Sequence, residues 1–298
     1  MAVLTSGHIS AVALELLTRS LVLPATATAI PGGEFAGSNG DTITVRVPQP
    51  GSARTQGSAG STITYDDVTE IPVTVQLSHL YHGKLVSDEE LSYKLEDFAR
   101  QITRVQVAAV ATAAEDKLAT VMNNLTEDDE FAATATDADT IATILGAREQ
   151  LSKNSAPADD RWLACSPEII TRLLSVEQFV KANEAGNDSA LRNAIVGRIF
   201  GFTVVESAGL EAGSAVAYHR SGFAFANRVP VQPRGANDSS TASAGGIGLR
   251  HIFQYVPDKL SDASVVSTFA GAAAVYEDGT GSNGTDNKRW IKLGTAAS

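Results

Sequence analysis

The sequence predicts an α+β protein organised around one long helix, and three observations carry that prediction. Residues 87–125 hold a helical apolar pattern with no Gly or Pro to interrupt it. Residues 41–77 alternate polar and apolar side chains on either side of a turn-rich tip, as a long β-hairpin would. Residues 137–260 alternate helical and strand-like stretches, the pattern of an α/β unit.

The N-terminal 30 residues read as an arm. Leu14, Leu17 and Leu21 fall at helical spacing, with Glu15 and Arg19 turned elsewhere. Pro24 is expected to end that helix. The run from Ala25 to Pro31 has no periodicity and too little apolar content for a core of its own, so it should lie extended on another surface.

In the hairpin, Thr42–Val47 forms the first alternating run. Pro48–Gly60 supplies the tip, and Ile63–Tyr65 and Ile71–Leu77 resume the alternation. Pro72 donates no ladder hydrogen bond and argues for an edge strand. A connection this long is usually functional or reaches a partner.

Ser87 and Glu90 have the spacing of a capping box at the start of the long helix. Apolar residues then recur at Leu91, Leu95, Phe98, Ile102, Val105, Ala109 and Ala113, continuing through Leu118, Val121, Met122 and Leu125. At 1.5 Å per residue such a helix would be about 57 Å long, several times the globular mean. The carboxylates of Glu127–Glu130 oppose the helix dipole and should mark an exit into solvent. They lack the alternate spacing and turn glycine of a calcium loop.

Thr140–Lys153 reads as a helix capped by Asp137 or Asp139. Arg161–Cys165 reads as a strand, and Pro167 opens a helix at the position that tolerates proline best. Residues 190–195 suggest a helical turn. Phe202–Glu206, Ser214–Tyr218 and Gly248–Tyr255 read as strands, and Phe223–Ala226 as strand or helix. Residues 234–246 look like a small-residue loop. Ser264–Tyr276 is expected to be a buried strand, and in the polar tail after it only Trp290 and Ile291 suggest docking.

Composition excludes more than it identifies. Twenty-three Lys and Arg stand against 34 Asp and Glu, a net charge of −11, which argues against sequence-specific or phosphate-directed nucleic-acid binding. The lone Cys165 permits no internal disulfide and no cysteine cluster for zinc; it reads as a small buried apolar residue. The apolar stretch Ile9–Leu23 is interrupted by Glu15 and Arg19, is too short to span a bilayer and lacks a basic flank. No membrane association is expected, and synthesis in the cytoplasm is. The sequons at Asn124, Asn187, Asn237 and Asn283 carry no meaning without secretion.

No constellation for chemistry emerges. Gly279–Gly284 formally matches a dinucleotide fingerprint, but no helix follows, and a flexible linker is the simpler reading. Gly83-Lys84 is followed by Leu85, so it is no phosphate loop. His79 and His82 are three apart, on opposite faces if extended, and make a poor metal pair. Asp66-Asp67 and Asp159-Asp160 are loop carboxylates. The expectation is no catalytic residue, no metal and no cofactor: a structural protein, not an enzyme. A less favoured alternative is an α/β ligand-binding protein or enzyme built on residues 137–260.

The order of elements resembles the Hong Kong 97-like capsid fold of tailed-bacteriophage major capsid proteins. Val75–Ser92 leading into Asp97–Ile102 resembles the hairpin-to-helix junction of the coat proteins of short-tailed Salmonella phages. Gly197–Ser207, Ala217-Tyr218-His219 and Gly245–Arg250 resemble later motifs of the same family. The similarity runs over roughly residues 5–276. The alternative beside it is another phage structural protein, a tail or decoration component.

The resemblance implies five parts: a 1–30 arm, a 31–86 extended hairpin, an 87–134 spine helix of a peripheral domain, a 135–260 axial domain, and a 261–298 returning strand and tail. It further implies that arm and hairpin lie across neighbouring subunits, which form pentamers and hexamers of an icosahedral shell around the DNA genome. Portal and separate scaffolding proteins are implied partners, with a decoration protein optional. There is no room for the inserted domain of longer relatives. The tip Pro48–Gly60 has no lysine, so no lysine–asparagine crosslink is implied there.

Overall fold

The computed structural model describes residues 6–30, 42–48, 53–57, 60, 62–65, 67, 70–87, 102–131, 136–176, 195–236, 238–244, 247–276 and 288–295. The helices are α1 (Ser6–Ser20), α2 (Leu23–Thr26), α3 (Arg104–Asn123), α4 (Asp137–Lys153) and α5 (Pro167–Ser175). The strands of the first half are β1 (Thr28–Ile30), β2 (Thr42–Pro48), β3 (Glu70–Gln76), β4 (Ser78–Ser87), β5 (Asp129–Phe131) and β6 (Arg161–Cys165). Those of the second half are β7 (Ile195–Ile199), β8 (Phe202–Glu206), β9 (Ala215–His219), β10 (Phe223–Arg228), β11 (Asp238–Ala244), β12 (Ile247–Val256), β13 (Ser261–Ala274) and β14 (Trp290–Thr295).

The core of α3 follows from its sequence. Val107, Val110, Ala111, Ala114, Leu118 and Met122 share one stripe and are buried, while Arg104, Ala108, Thr112, Asp116 and Thr120 face outward. Ile102 and Thr103 lead in through a π-type turn. Ser87, expected as the helix cap, is instead the last residue of β4, paired with Ser261. The rest of that capping box, and residues 88–101 over which the helix is expected to run, lie outside the described residues.

Two six-stranded sheets flank α3. In the first, β13 is the spine: β12 and β10 follow one another along one edge, and β4 runs along the other. β11 extends it beyond β12 and β1 beyond β10. Side chains alternate between its faces, so Val266 and Ala270 point toward the core that α1 and α3 close. The second sheet has the order β5-β14-β9-β6-β8-β7. α4 and α5 cover one face through Ile144, Leu151, Ile169 and Leu173. The other face gives Ala164, Val205, Val216 and Tyr218 to the core shared with α3.

Several expectations need correction. Pro24 does not simply end α1; it opens the short α2, where its missing N–H costs nothing. The Ala25–Ile30 run is not extended throughout, since Leu23–Thr26 is helical, and it packs on the chain itself. Ala13, Leu17, Leu21, Leu23 and Ala27 are buried in the chain's own core, and Thr28–Ile30 pairs parallel with β10. The α4 cap is Thr136, with Asp139 closing the box from the third helical position. Ile195, expected in a helical turn, begins β7; residues 190–194 lie outside the described residues. Asp238–Ala244, expected as loop, is an edge strand.

The tail differs most. Trp290–Thr295 is a strand inserted between β5 and β9. The 135–260 unit therefore does not coincide with one sheet: β10, β11 and β12 join β13, and β14 joins β9.

The hairpin stands as expected, β2 pairing with β3 in register from Thr42–Gln76 to Pro48–Glu70. Its base packs Ile43, Val73 and Val75 against Ile30, Ala224 and Val275. Gly271 of β13 lies under the carbonyl of Gln76, where a Cβ would overlap it. This close approach lets the chain pass from β3 directly into β4.

Candidate assembly surfaces

Function is sought in the surfaces that the described residues leave exposed and in the contacts that hold them. The first is the outer face of the first sheet. On β4, Leu80 and Val86 turn inward, while His79, Tyr81, Gly83 and Leu85 are exposed. By register their neighbours on β13 are Phe269, Ser267, Val265 and Ala263. Tyr81 leaves 71% of its surface open. His79 stacks obliquely on Phe269, with ring centroids 4.7 Å apart. Partial burial, and then the charge of Arg250, hold the His79 imidazole below its ordinary pKa. The second surface is the hairpin tip, where Ile63 and Tyr65 are exposed, Tyr65 to 82%.

Behind these surfaces are polar junctions. Thr26 Oγ1 and Tyr218 Oη share a hydrogen bond of 2.5 Å, tying α2 to β9. Glu115 of α3 accepts from the Val22 amide and the Ser207 hydroxyl, both at 3.2 Å, joining the arm to the second sheet. Burial raises the pKa of its carboxyl group, against the lowering by those two hydrogen bonds.

The carboxylates after α3 do not simply exit into solvent. Asp128 pairs with Lys288 and accepts from the Lys292 amide, and Glu127 lies 3.5 Å from Lys292 Nζ. The signal that could have revealed this was the spacing of Lys288 and Lys292 across the tail, a matching pair of cations far away in sequence.

The other singled-out residues fall apart in space. Cys165 is buried on β6, its thiol pKa pushed up by burial. His79 and His82 lie on opposite faces of β4. Asp159 and Asp160 form the turn before β6, Asp160 with a φ of 45°. Asp66 and Gly279–Gly284 lie outside the described residues. Among the described residues no three His, Cys, Asp or Glu side chains are grouped to hold a metal ion. None of their helices is long and apolar enough to cross a membrane.

The sequence profile for phage capsid protein matches residues 95–282, more than half of the chain. The chain belongs to the phage capsid protein family. The fold agrees. A chain of Mycobacterium phage Che8 superposes with a TM-score of 0.59 at 18% identity, covering 92% of this chain and 90% of that one. The capsid of Ralstonia phage GP4 gives 0.60 at 10% identity, covering 92% and 87%. The capsid of the cyanophage P-SCSP1u gives 0.56 at 14% identity, covering 88% and 85%. No curated protein sequence matches. This capsid protein thus has the Hong Kong 97-like fold and is a structural component of the virion shell, a major capsid protein. The narrower likeness to the coat proteins of short-tailed Salmonella phages remains an expectation of the sequence.

Proposed function

We propose that this major capsid protein forms the pentamers and hexamers of an icosahedral shell, with the second sheet and its helices α4 and α5 as the axial unit. The hairpin reaches a neighbouring subunit through its tip, and α3 with the first sheet forms the peripheral unit. The observation that carries this reading is the pair of exposed aromatic sites, Tyr65 at the tip and Tyr81 on the outer sheet face. Neighbouring apolar side chains exposed together, as Ile63 is with Tyr65 and Tyr81 is with Leu85 on one face of β4, mark a surface that a partner covers. A separate scaffolding protein, a portal protein and an optional decoration protein complete the assembly. The chain is made in the host cytoplasm and carries out no catalysis.

Electron microscopy of the chain expressed with its scaffolding protein tests this directly. Closed shells are expected from the unaltered chain. Tyr65→Asp with Ile63→Asp should give folded subunits that no longer close shells. Shells formed as readily by that double variant would overturn the role given to the tip.

A further inference from the structure

The junction of α3 with the first sheet contains a fully buried histidine. His251 of β12 is 0% exposed. In register, His251, Val266 and His82 form one row across β12, β13 and β4, on the face toward α3. Gln106, one residue past the first pair of α3, sits over this row and is equally buried.

Hydrogen bonding fixes the protonation of His251. Gln106 Nε2 donates to the carbonyls of Ser264 at 2.7 Å and His82 at 3.4 Å. Its Oε1 must then be the end that accepts from the Ser264 hydroxyl, 2.9 Å away. That uses the only hydroxyl hydrogen, so the 3.0 Å contact between Ser264 Oγ and His251 Nε2 needs a proton on Nε2. Nδ1 then carries a lone pair, buried and without a hydrogen-bond partner among the described residues. A second proton can go only to Nδ1, where it finds no acceptor, and an unsatisfied buried charge is costly.

We propose that His251 is a proton-operated latch for α3: neutral, it holds the Ser264–Gln106 bridge that seats the first turn of α3 on β13 and β4, and protonated, it releases that seat. The charges around it come from every packed element. Asp238 of β11 favours the imidazolium. On β4, His82 lies in the same row, and exposed Lys84 is the register partner of Ser264. α3 brings Arg104, exposed at its first turn, and the more distant Glu115. Among its described side chains α1 brings exposed Glu15. β13 presents Ser264, Val266 and Thr268 here, and its one carboxylate, Asp262, lies two residues before Ser264 on the same face. Burial outweighs Asp238, and the His251 pKa is lowered. The sign follows: the penalty is absent above the ordinary histidine range and grows as pH falls through and below it.

Hydrogen–deuterium exchange of the full chain, corrected for the intrinsic pH dependence, tests the latch. Between pH 7.5 and 5, exchange over residues 102–110 should rise about tenfold or more, while residues 141–151 of α4 stay unchanged. His251→Gln keeps an N–H donor and cannot titrate, so its exchange over 102–110 should be the same at both pH values. Ser264→Ala should remove the same pH response by cutting the bridge. An unchanged wild-type profile, or a His251→Gln profile that still follows the wild type, overturns the proposal. Should that variant fail to fold, nitrogen NMR of the wild type decides: an Nε2–H tautomer at neutral pH is required, and an Nδ1–H tautomer refutes the latch.

Discussion

Lys292 of β14 donates from Nζ to the backbone carbonyl of Asn123, 2.8 Å away, at the last residue of α3. The ammonium is nearly buried, and Glu127 and Glu211 flank it at 3.5 and 3.6 Å. Asn123 completes the junction by donating to the Gly209 carbonyl and accepting from the Glu211 amide, each at 3.0 Å. A cation at a helix C-terminus meets carbonyls that lack a helical partner and the negative end of the dipole. The last strand of the chain thereby locks the end of its longest described helix.

Lys292→Met keeps the aliphatic stem and removes the charge. The lost charge-assisted hydrogen bond should cost about 2 kcal/mol. In a chain of this size that is a fall of about 3 °C in Tm by calorimetry on unassembled subunits. An unchanged Tm would mean that the bond from Lys292 to the helix end adds nothing net to stability.

This junction also marks where the sequence stops being legible. Elements with local patterns could be read: Thr140–Lys153 from its periodicity, Pro167 from its place at a helix start, and β2–β3 from alternation about a turn-rich tip. β4 could not, because Gly83-Lys84 interrupts the run and half of the strand is exposed. β11 is built of Ser, Thr and Ala, whose propensities are weak, and becomes a strand only because β12 and α1 flank it. β14 exists because Val216 and Ala217 of β9 offer an edge to residues more than seventy positions later. The arm's docking surface was out of reach for the same reason: Leu17, Leu21 and Leu23 are too few for a core alone, but enough to complete one supplied by α3. No local window contains those partners. Of the assembly surface, the tip was readable as an exposed loop. The outer face with Tyr81 was not, since it needed β4 to be seen as a strand.

Glu115 gives a pH-dependent prediction. Its folded pKa is raised above the unfolded value, so the folded state holds the proton more readily. Stability is therefore lost as pH rises from the ordinary carboxylate range through the folded value, and stays lost at neutral pH. Glu115→Gln cannot ionise, and its amide still reaches the Val22 amide and the Ser207 hydroxyl. The variant should have the higher Tm at pH 7.5, and the gap should close toward pH 4. A variant less stable than the wild type at neutral pH would show that the two hydrogen bonds outweigh burial.

Cys165 should behave as an inert thiol. It is buried on β6 between α5 and the strands, and burial, followed by the charge of Glu206, keeps it protonated. Only the thiolate reacts, so a disulfide-exchange reagent at pH 8 should leave the native chain unlabelled over hours and modify one thiol per chain in denaturant. Fast labelling of folded subunits would mean that β6 opens far more readily than its packing allows. Cys165→Ser places a hydroxyl in a buried site where the thiol's acceptor, the Leu163 carbonyl, lies 4.0 Å from the sulfur, and should cost about 1–3 kcal/mol.

Tyr81 and Leu85 separate folding from assembly. Both project from the outer face of β4, and neither is among the buried residues that form the chain's cores. Surface substitutions away from buried features usually change stability by less than about 0.5 kcal/mol. Tyr81→Asp and Leu85→Asp should therefore fold with Tm within about 1 °C of the wild type. If a neighbouring subunit covers this face, the new carboxylates are buried without a partner, at a cost of several kcal/mol per contact, repeated around every copy of the shell. Light scattering of assembly reactions should then show a critical concentration raised at least tenfold for either variant. Normal assembly by both would assign the outer sheet face to the open surface of the shell and leave the hairpin tip as the principal intersubunit contact.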